Sequence, residues 1–533
     1  MADPTTPASA SGVPLVRKLI LANLLLAGLV LAVGIVWWSG RETDDTASTA
    51  SATTTSTVAT TTTTTVPTTT TSTTTTSTTT TTTTTTTTIP YDGWVDPRSS
   101  GQPWGDTVEG LLTFRGSPTR SYHGEGPVPE SPQILWSFPE SGGMCSESTS
   151  GGVTRTWCGT GWTGQPAIWE VGDETWVAFG AYDRAVHVLD ADTGERRFDD
   201  FVTGDIIKGS VTIDPDGYPI IYSGSRDNHF RALAWDRGGE LVELWRLSAD
   251  DVGPTKWNND WDGAALVIDD YLFEGGENSR IHIVKLNRAY DEEGLVTVDP
   301  EIVFHAAGWD DELIRAVGNN VSIENSVAIS GNTLYFANSG GLVQGWDISG
   351  LADGVEPTRT FRFWMGDDVD ASIVADDEGF LYVAAEFERG LARAREVGQI
   401  VKLDPTAEEP LVWSVDDQRR LPGGVWATPA LHRDLVIVPT DGGRVLGIER
   451  DSGEIRWTME LTGPLWQSPV VVDDVLLQGD CNGRLHAFDV SDTSVEPTRL
   501  WSIDLGGCIE STPAVWRGVI VVGTRGGKVH AIG

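Results

Sequence analysis

Cysteine and methionine are scarce in this 533-residue chain, with four of each. Four cysteines cannot make a disulfide-dense miniature scaffold, and they leave room for two bridges at most. The short signatures of common chemistries are missing too. There is no GxSxG nucleophile elbow, no HExxH zinc motif and no phosphate-cradling GxxxxGK[ST]. Positive charge is short: 37 Lys and Arg stand against 76 Asp and Glu, a net charge of −39. The first 88 residues hold three basic and four acidic side chains, so the excess lies beyond them. So acidic a body repels phosphate backbones, and nucleic acid is not an expected partner. Eight histidines are scattered; His187, His282, His486 and His530 fall at one repeat position described below, which argues against a histidine metal site.

What is present begins with one apolar run. Residues 19–38, LILANLLLAGLVLAVGIVWW, carry no charge. As a helix they would rise about 30 Å, the thickness of a bilayer's hydrocarbon core. Arg17 and Lys18 precede the run, whereas Arg41, Glu42, Asp44 and Asp45 follow it. This bias predicts a cytoplasmic N-terminus (1–18), a single transmembrane helix (19–38) and an extracytoplasmic remainder. A cleaved signal peptide would have a shorter apolar region and a small-residue site after it, where this chain has Trp37 and Trp38. Residues 39–90 are dominated by Thr and Ser and cannot bury a core, so they read as a disordered stalk. Fully stretched, residues 46–88 reach about 150 Å.

Glycine (60) and tryptophan (22) are abundant beyond the stalk, pointing to turns and aromatic strands. Self-similarity settles the class. SPVVVDDVLLQGDCNGRLHAFD (468–489) aligns with TPALHRDLVIVPTDGGRVLGIER (428–450) and TPAVWRGVIVVGTRGGKVHAIG (512–533). Each reads as three short strands, and a fourth with Trp or Phe usually follows. First strands are expected near Gln165, Lys208, Trp261, Glu324, Asp370, Trp426, Gln467 and Glu510. Fourth strands carry Phe198, Trp245, Phe304, Trp364, Trp413, Trp457 and Trp501. Seven units are complete and the eighth stops at Gly533. SPQILWSF, a strand near 131–139, supplies the missing piece. The prediction is an all-β, eight-bladed β-propeller of four-stranded antiparallel blades over 91–533.

The repeat resembles that of pyrroloquinoline-quinone (PQQ)-type, quinoprotein-like propellers, and FRGSPTRSYHGEGPVPESPQILWSF (114–138) resembles the segment that opens that fold. The likeness covers about 114–533. It implies one of two functions: quinone-dependent oxidation of alcohols or sugars, or a non-catalytic role like that of the outer-membrane-protein assembly lipoprotein. Marks of the classical dehydrogenases are missing. There is no Cys-Cys dipeptide, no CxxCH haem attachment, and no Glu/Asn/Asp calcium and base set on matching positions. PQQ with calcium is therefore expected only if the dehydrogenase reading holds; otherwise no cofactor is expected.

In an up-and-down blade, the loop between strands two and three shares a face with the loop entering strand one. Cys481 and Cys508 lie in two such loops on adjacent blades, which predicts Cys481–Cys508, leaving Cys145–Cys158; free buried thiols are the alternative. On that face, candidate partner-binding residues line a funnel mouth: Trp162, Lys208, Trp257, Asp260, Trp261, Glu324, Asp370, Trp426, Trp466, Gln467 and Glu510. Clustered carboxylates there invite a cation or a basic partner, and solvated rim charges are the bland alternative. DADTG (190–194) reads as a plain tight turn rather than a calcium loop. No catalytic residue or dedicated metal set is assigned. The sequence reads as a membrane-anchored, non-catalytic binding or scaffolding propeller; a quinone-dependent dehydrogenase and a cell-wall glycan sensor are the alternatives.

Overall fold

The computed structural model describes residues 91–150, 152–162 and 164–533. The expected transmembrane helix, cytoplasmic segment and stalk lie outside the described residues. Among the described residues, no helix is long and apolar enough to cross a membrane.

Eight antiparallel blades follow one another along the chain. Their first, innermost strands are Ala167–Val171, Thr212–Ile213, Leu266–Ile268, Ala328–Ser330, Val374–Ala375, Ala430–His432, Val470–Val472 and Ala514–Trp516. Second and third strands are runs of Val, Ile and Leu. Leu435–Pro439 is buried at every position, because neighbouring blades cover both faces. Fourth strands form the outer rim and are half exposed, as in Thr358–Trp364. Blades 2 to 8 each bulge between strands three and four at a matching point, such as Gly447/Ile448 and Ala487/Phe488. A bulge increases local twist, which the propeller shape requires. Blade 1 differs from expectation: its fourth strand is the short Phe201–Val202, and Phe198 lies ahead of it.

The Ser/Thr ahead of the first strand in blades 2, 4, 5, 6 and 7 has a structural job. The backbone N–H of Gln165, Ala264, Ser326, Ser372 and Thr428 each donates to a hydroxyl of the following blade: Ser210, Ser326, Ser372, Thr428 and Ser468, at 2.7–3.0 Å. These bonds form a belt around the axis that satisfies buried donors between sheets.

The Gly-containing turn after strand three, Thr193-Gly194 in blade 1 and Ser452-Gly453 in blade 6, is also explained. Gly194 lies against the Trp136 ring, and Gly453 lies against the Trp413 ring. Each indole Nε1 donates to a carbonyl of that same turn, Ala191 at 2.8 Å and Arg450 at 2.9 Å. So Trp136 of blade 8 docks into the turn of blade 1, and Trp413 of blade 5 into the turn of blade 6.

The ring closes as the sequence predicts. Ile134–Phe138 pairs antiparallel with Lys528–Ile532 and completes blade 8. Both expected disulfides are present, Cys145–Cys158 and Cys481–Cys508. The first holds the ends of a hairpin, Cys145–Ser150 with Val153–Cys158.

The axis holds a feature that the repeat does not announce. Gly110–Leu111 runs antiparallel to blade 1's first strand, and Gly124–Glu125 runs parallel to blade 8's. Residues 110–125 therefore rise into the central channel from the face of the first-to-second-strand turns and descend again. Nearly all of this hairpin is buried. At its apex Arg115 donates to the carbonyls of Pro429 (2.7 Å) and Pro469. Arg120 donates to Ala264 (2.6 Å), Val327 (2.7 Å) and Phe114 (2.8 Å). Ile213, Ile329 and Ala375 donate backbone bonds to Leu112, Pro118 and Thr119. This plug touches all eight blades.

Candidate functional site

The loops that enter first strands open on the face opposite the plug's base, and their equivalent positions meet around the axis. The residue four places ahead of each first strand is Lys208, Asp262, Glu324, Asp370, Trp426, Trp466 and Glu510 in blades 2 to 8. Charge thus occupies one arc of the mouth and indole rings another. Trp426 and Trp466 stack with centroids 4.8 Å apart and planes 20° apart. Trp466 Nε1 donates to Asp441 at 2.8 Å, fixing the pair.

Blade 3 supplies one carboxylate cluster. Asp260 and Asp262 precede its first strand, and Glu277 follows its second strand, so all three converge at the mouth. Lys208 Nζ stands among them, 2.8 Å from Glu277 and 3.4 Å from Asp260, and in contact with Asp262. Arg226 Nε reaches Asp260 at 2.5 Å. Burial works against the Lys208 charge, but the three carboxylates outweigh it and hold its pKa well above the ordinary value. Burial likewise raises Glu277, yet Lys208 wins and keeps it below the usual range. Asp262 goes the other way: burial and the repulsion of Glu277 and Asp260 push it well up.

Blade 5 repeats the same geometry without an ammonium at its centre. Asp368 and Asp370 precede the first strand, and Glu386 follows the second. The sequence states the repetition: DWDGAALVIDDYLFEGGE (260–277) beside DVDASIVADDEGFLYVAAE (368–386). Arg389 touches the rim of this cluster, 3.5 Å from one oxygen of Asp368, while also meeting Asp367 at 3.3 Å. Burial, then mutual repulsion, pushes Asp368 and Glu386 well above the carboxylate range; Asp370 is raised as well. Between the clusters, blade 4 places Ser322 and Ser339, which donate to Glu324 at 2.6 and 3.0 Å. Burial raises Glu324 well above its ordinary value.

The expected site residues divide accordingly. Lys208, Asp260, Glu324, Asp370, Trp426, Trp466 and Glu510 meet at the mouth, Glu510 facing Arg525 at 3.2 Å. Trp162 is half-buried. Trp257 is 57% exposed and flanks a cleft of about 480 Å³ with Lys208, Arg226, Asn258 and Glu277. Two expectations are corrected. Trp261 is wholly buried against Phe230 and His282, because its side chain points between blades. Gln467 is wholly buried too; its amide braces blade 7 through Ser468 and Gly479. The single-residue reading missed Asp262, Glu277, Asp368 and Glu386. The repeated D-x-D followed by a Glu after the second strand was the signal that could have found them.

Residues 396–533 match a family model described as outer membrane protein assembly factor BamB. A comparison with curated proteins gives no match. Among solved structures, a quinohemoprotein alcohol dehydrogenase from Pseudomonas putida HK5 superposes with a TM-score of 0.54 at 11% identity, over 79% of this chain and 80% of that one. The quinohemoprotein alcohol dehydrogenase of Comamonas testosteroni gives 0.52 at 13%, with the same coverage of both chains. A europium-containing methanol dehydrogenase gives 0.51 at 13%, over 79% and 98%. The fold is that of the PQQ-like β-propellers. At such identities the likeness speaks for architecture alone. Within this PQQ-like propeller the mouth has its own composition: two acidic clusters, one holding basic side chains, facing a stacked indole pair.

Proposed function

We propose that this chain is a membrane-anchored, extracytoplasmic propeller that acts as a non-catalytic binding or scaffolding module through its funnel mouth. The sign of the mouth carries the reading. Asp260, Asp262, Glu277, Glu324, Asp368, Asp370 and Glu386 converge there, and Lys208 and Arg226 are engaged by the first three. Such a surface attracts basic segments and bound cations. It suits PQQ poorly. That quinone is a tricarboxylate, and its carboxylates would meet side chains of the same sign. The chain also has no Cys-Cys dipeptide to lie against a quinone ring. The mouth is therefore unsuited to quinone catalysis.

The test uses the full chain in detergent. Binding of fluorescent oligolysine is expected, weakening as salt rises and as Glu324 and Asp370 are replaced by Gln and Asn. Incubation with PQQ and calcium is expected to give no dye reduction with alcohols or sugars. Quinone uptake with turnover would overturn the reading.

The cleft beside Trp257 favours a second reading, a wall-glycan sensor, since an exposed indole flanked by Asn258 and Asn259 suits a sugar ring. Retention of the chain on purified cell wall, lost in Trp257→Ala, is the expected result under that reading.

A further inference from the structure

Cys145–Ser150 and Val153–Cys158 form a two-stranded sheet of their own at the mouth, outside every blade. Thr149 and Ser150 wall the cleft that also holds Trp257 and Glu277. The first strand is tied to the body. Ser146 Oγ donates to the carbonyl of Tyr182 at 2.6 Å, Arg184 donates to that of Glu147 at 2.5 Å, and Arg226 donates to Ser148 Oγ at 3.3 Å. The second strand has a free edge. Cys145 and Cys158 face each other with Cα atoms 4.1 Å apart, and the hydroxyls of Thr149 and Thr154 meet at 2.7 Å. So close an approach marks the pairs whose own backbone groups point away from the opposite strand. By alternation Thr154 and Thr156 turn N–H and C=O outward, and among the described residues these four groups meet no partner. Val153 is 53% exposed, and Thr154, Arg155 and Thr156 are exposed as well.

An open edge is a template for another chain, and proteins spoil such edges with a bulge, a proline or a lysine. Blades 2 to 8 carry a bulge at their outer strands. Val153–Cys158 has none of the three devices, and its six residue pairs run in unbroken register. Its one charge, Arg155, lies on the opposite face from Thr154 and Thr156. Val and Thr favour extended backbone, and the disulfide clamps the base.

We propose that Val153–Cys158 is a strand-addition site, on which an extended basic segment of a partner protein pairs by its backbone while its side chains meet the acidic mouth. The inference rests on the reading of the mouth as a surface for basic segments, and adds how such a segment is held. Backbone pairing supplies affinity, and the surrounding carboxylates, Asp205, Asp260 and Glu277 in the adjoining cleft, select for positive charge.

The probe is fluorescent (Lys-Thr)4, added to the full chain in detergent, beside the same peptide N-methylated at every residue, which keeps the charge and loses the backbone donors. The parent peptide is expected to bind roughly tenfold more tightly or better, and to slow amide exchange in residues 153–158. Thr156→Pro removes an outward N–H and spares the hairpin's own ladder, and is expected to bring the parent peptide down to the level of the methylated one. Glu324→Gln is expected to weaken both peptides by the same factor. Equal binding of the two peptides, or unslowed exchange in 153–158 while the parent is bound, overturns strand addition and leaves the acidic mouth standing. Binding of neither peptide overturns both readings. Should Thr156→Pro not fold, amide exchange in the wild-type chain decides.

Discussion

Glu386 and Asp368 hold their protons more tightly in the folded chain than in the unfolded one, because burial and then neighbouring carboxylates disfavour ionisation. The stability this contributes is complete below the ordinary carboxylate pKa. It drains away as pH rises from about 4.5 towards the raised folded values. Glu386→Gln, which keeps a neutral side chain at every pH, is therefore expected to gain on wild type as samples are melted from pH 4.5 upward. A melting-temperature gap that stays constant would refute the assignment. Histidines act in the opposite sense. Burial lowers His282 to about 3 and His530 to about 4, from 6.5. Their contribution is complete above pH 6.5 and is lost on acidification, at up to about 1.4 kcal/mol per pH unit for each group. His530→Gln is expected to flatten the acid limb of the stability curve measured by denaturant titration between pH 6.5 and 4. At this scale the sequence was only partly legible. Lys208, Glu324 and Asp370 stood out because each opens a repeat. That Trp261 and Gln467 turn inward could not be read, since a loop position adjoining a strand faces either way until neighbouring blades are placed.

Elements were more legible, because a four-strand unit repeated eight times leaves little freedom in assigning strands. The turn at Ser452-Gly453 shows what repetition hides. Gly453 looks like an ordinary turn former, yet a Cβ there would come within 2.8 Å of the Trp413 ring, at φ +75°. Gly453→Ala is expected to cost about 1–3 kcal/mol, through left-handed backbone and a displaced indole together. Trp413 is 8% exposed and ties blade 5 to blade 6. Its replacement by Ala is expected to cost about 3–5 kcal/mol. Urea titration of each variant checks both, and a Gly453→Ala variant as stable as wild type would disprove the docking argument. The plug at 110–125 was not legible, because it belongs to no repeat. Its one hint was a pair of arginines, Arg115 and Arg120, in a stretch that otherwise carries no charge before Glu125.

At the scale of the whole molecule, ring and plug depend on one another. Arg115 holds carbonyls of blades 6 and 7, while its own backbone N–H is held by Gln165 of blade 1 at 2.7 Å. Arg115→Ala would leave two buried carbonyls without that donor, a loss on the order of 3 kcal/mol. Removal of residues 528–533 would strip blade 8 of its third strand and leave Ile134–Phe138 with no partner. That truncation is expected to abolish the cooperative melt rather than shorten the ring to seven blades, because the plug's bonds to blades 1 and 8 are set for eight. Circular dichroism during heating would reveal the difference.

The plug and the closing strand also impose a timetable. Both precede their last partners, Ala514–Trp516 and Lys528–Ile532, by nearly the whole ring. At ribosomal speeds of about 5–20 residues per second, roughly 400 intervening residues keep Gly124 and Trp136 waiting for about 20–80 seconds. During that wait Gly124–Glu125 and Ile134–Phe138 present unpaired backbone to whatever is near, and blades 1 to 7 have no closed ring to join. The interval during which this chain is vulnerable to aggregation is thus fixed by the rate of translation, and a chaperone that protects it has to hold residues 124–138 until Lys528–Ile532 arrives.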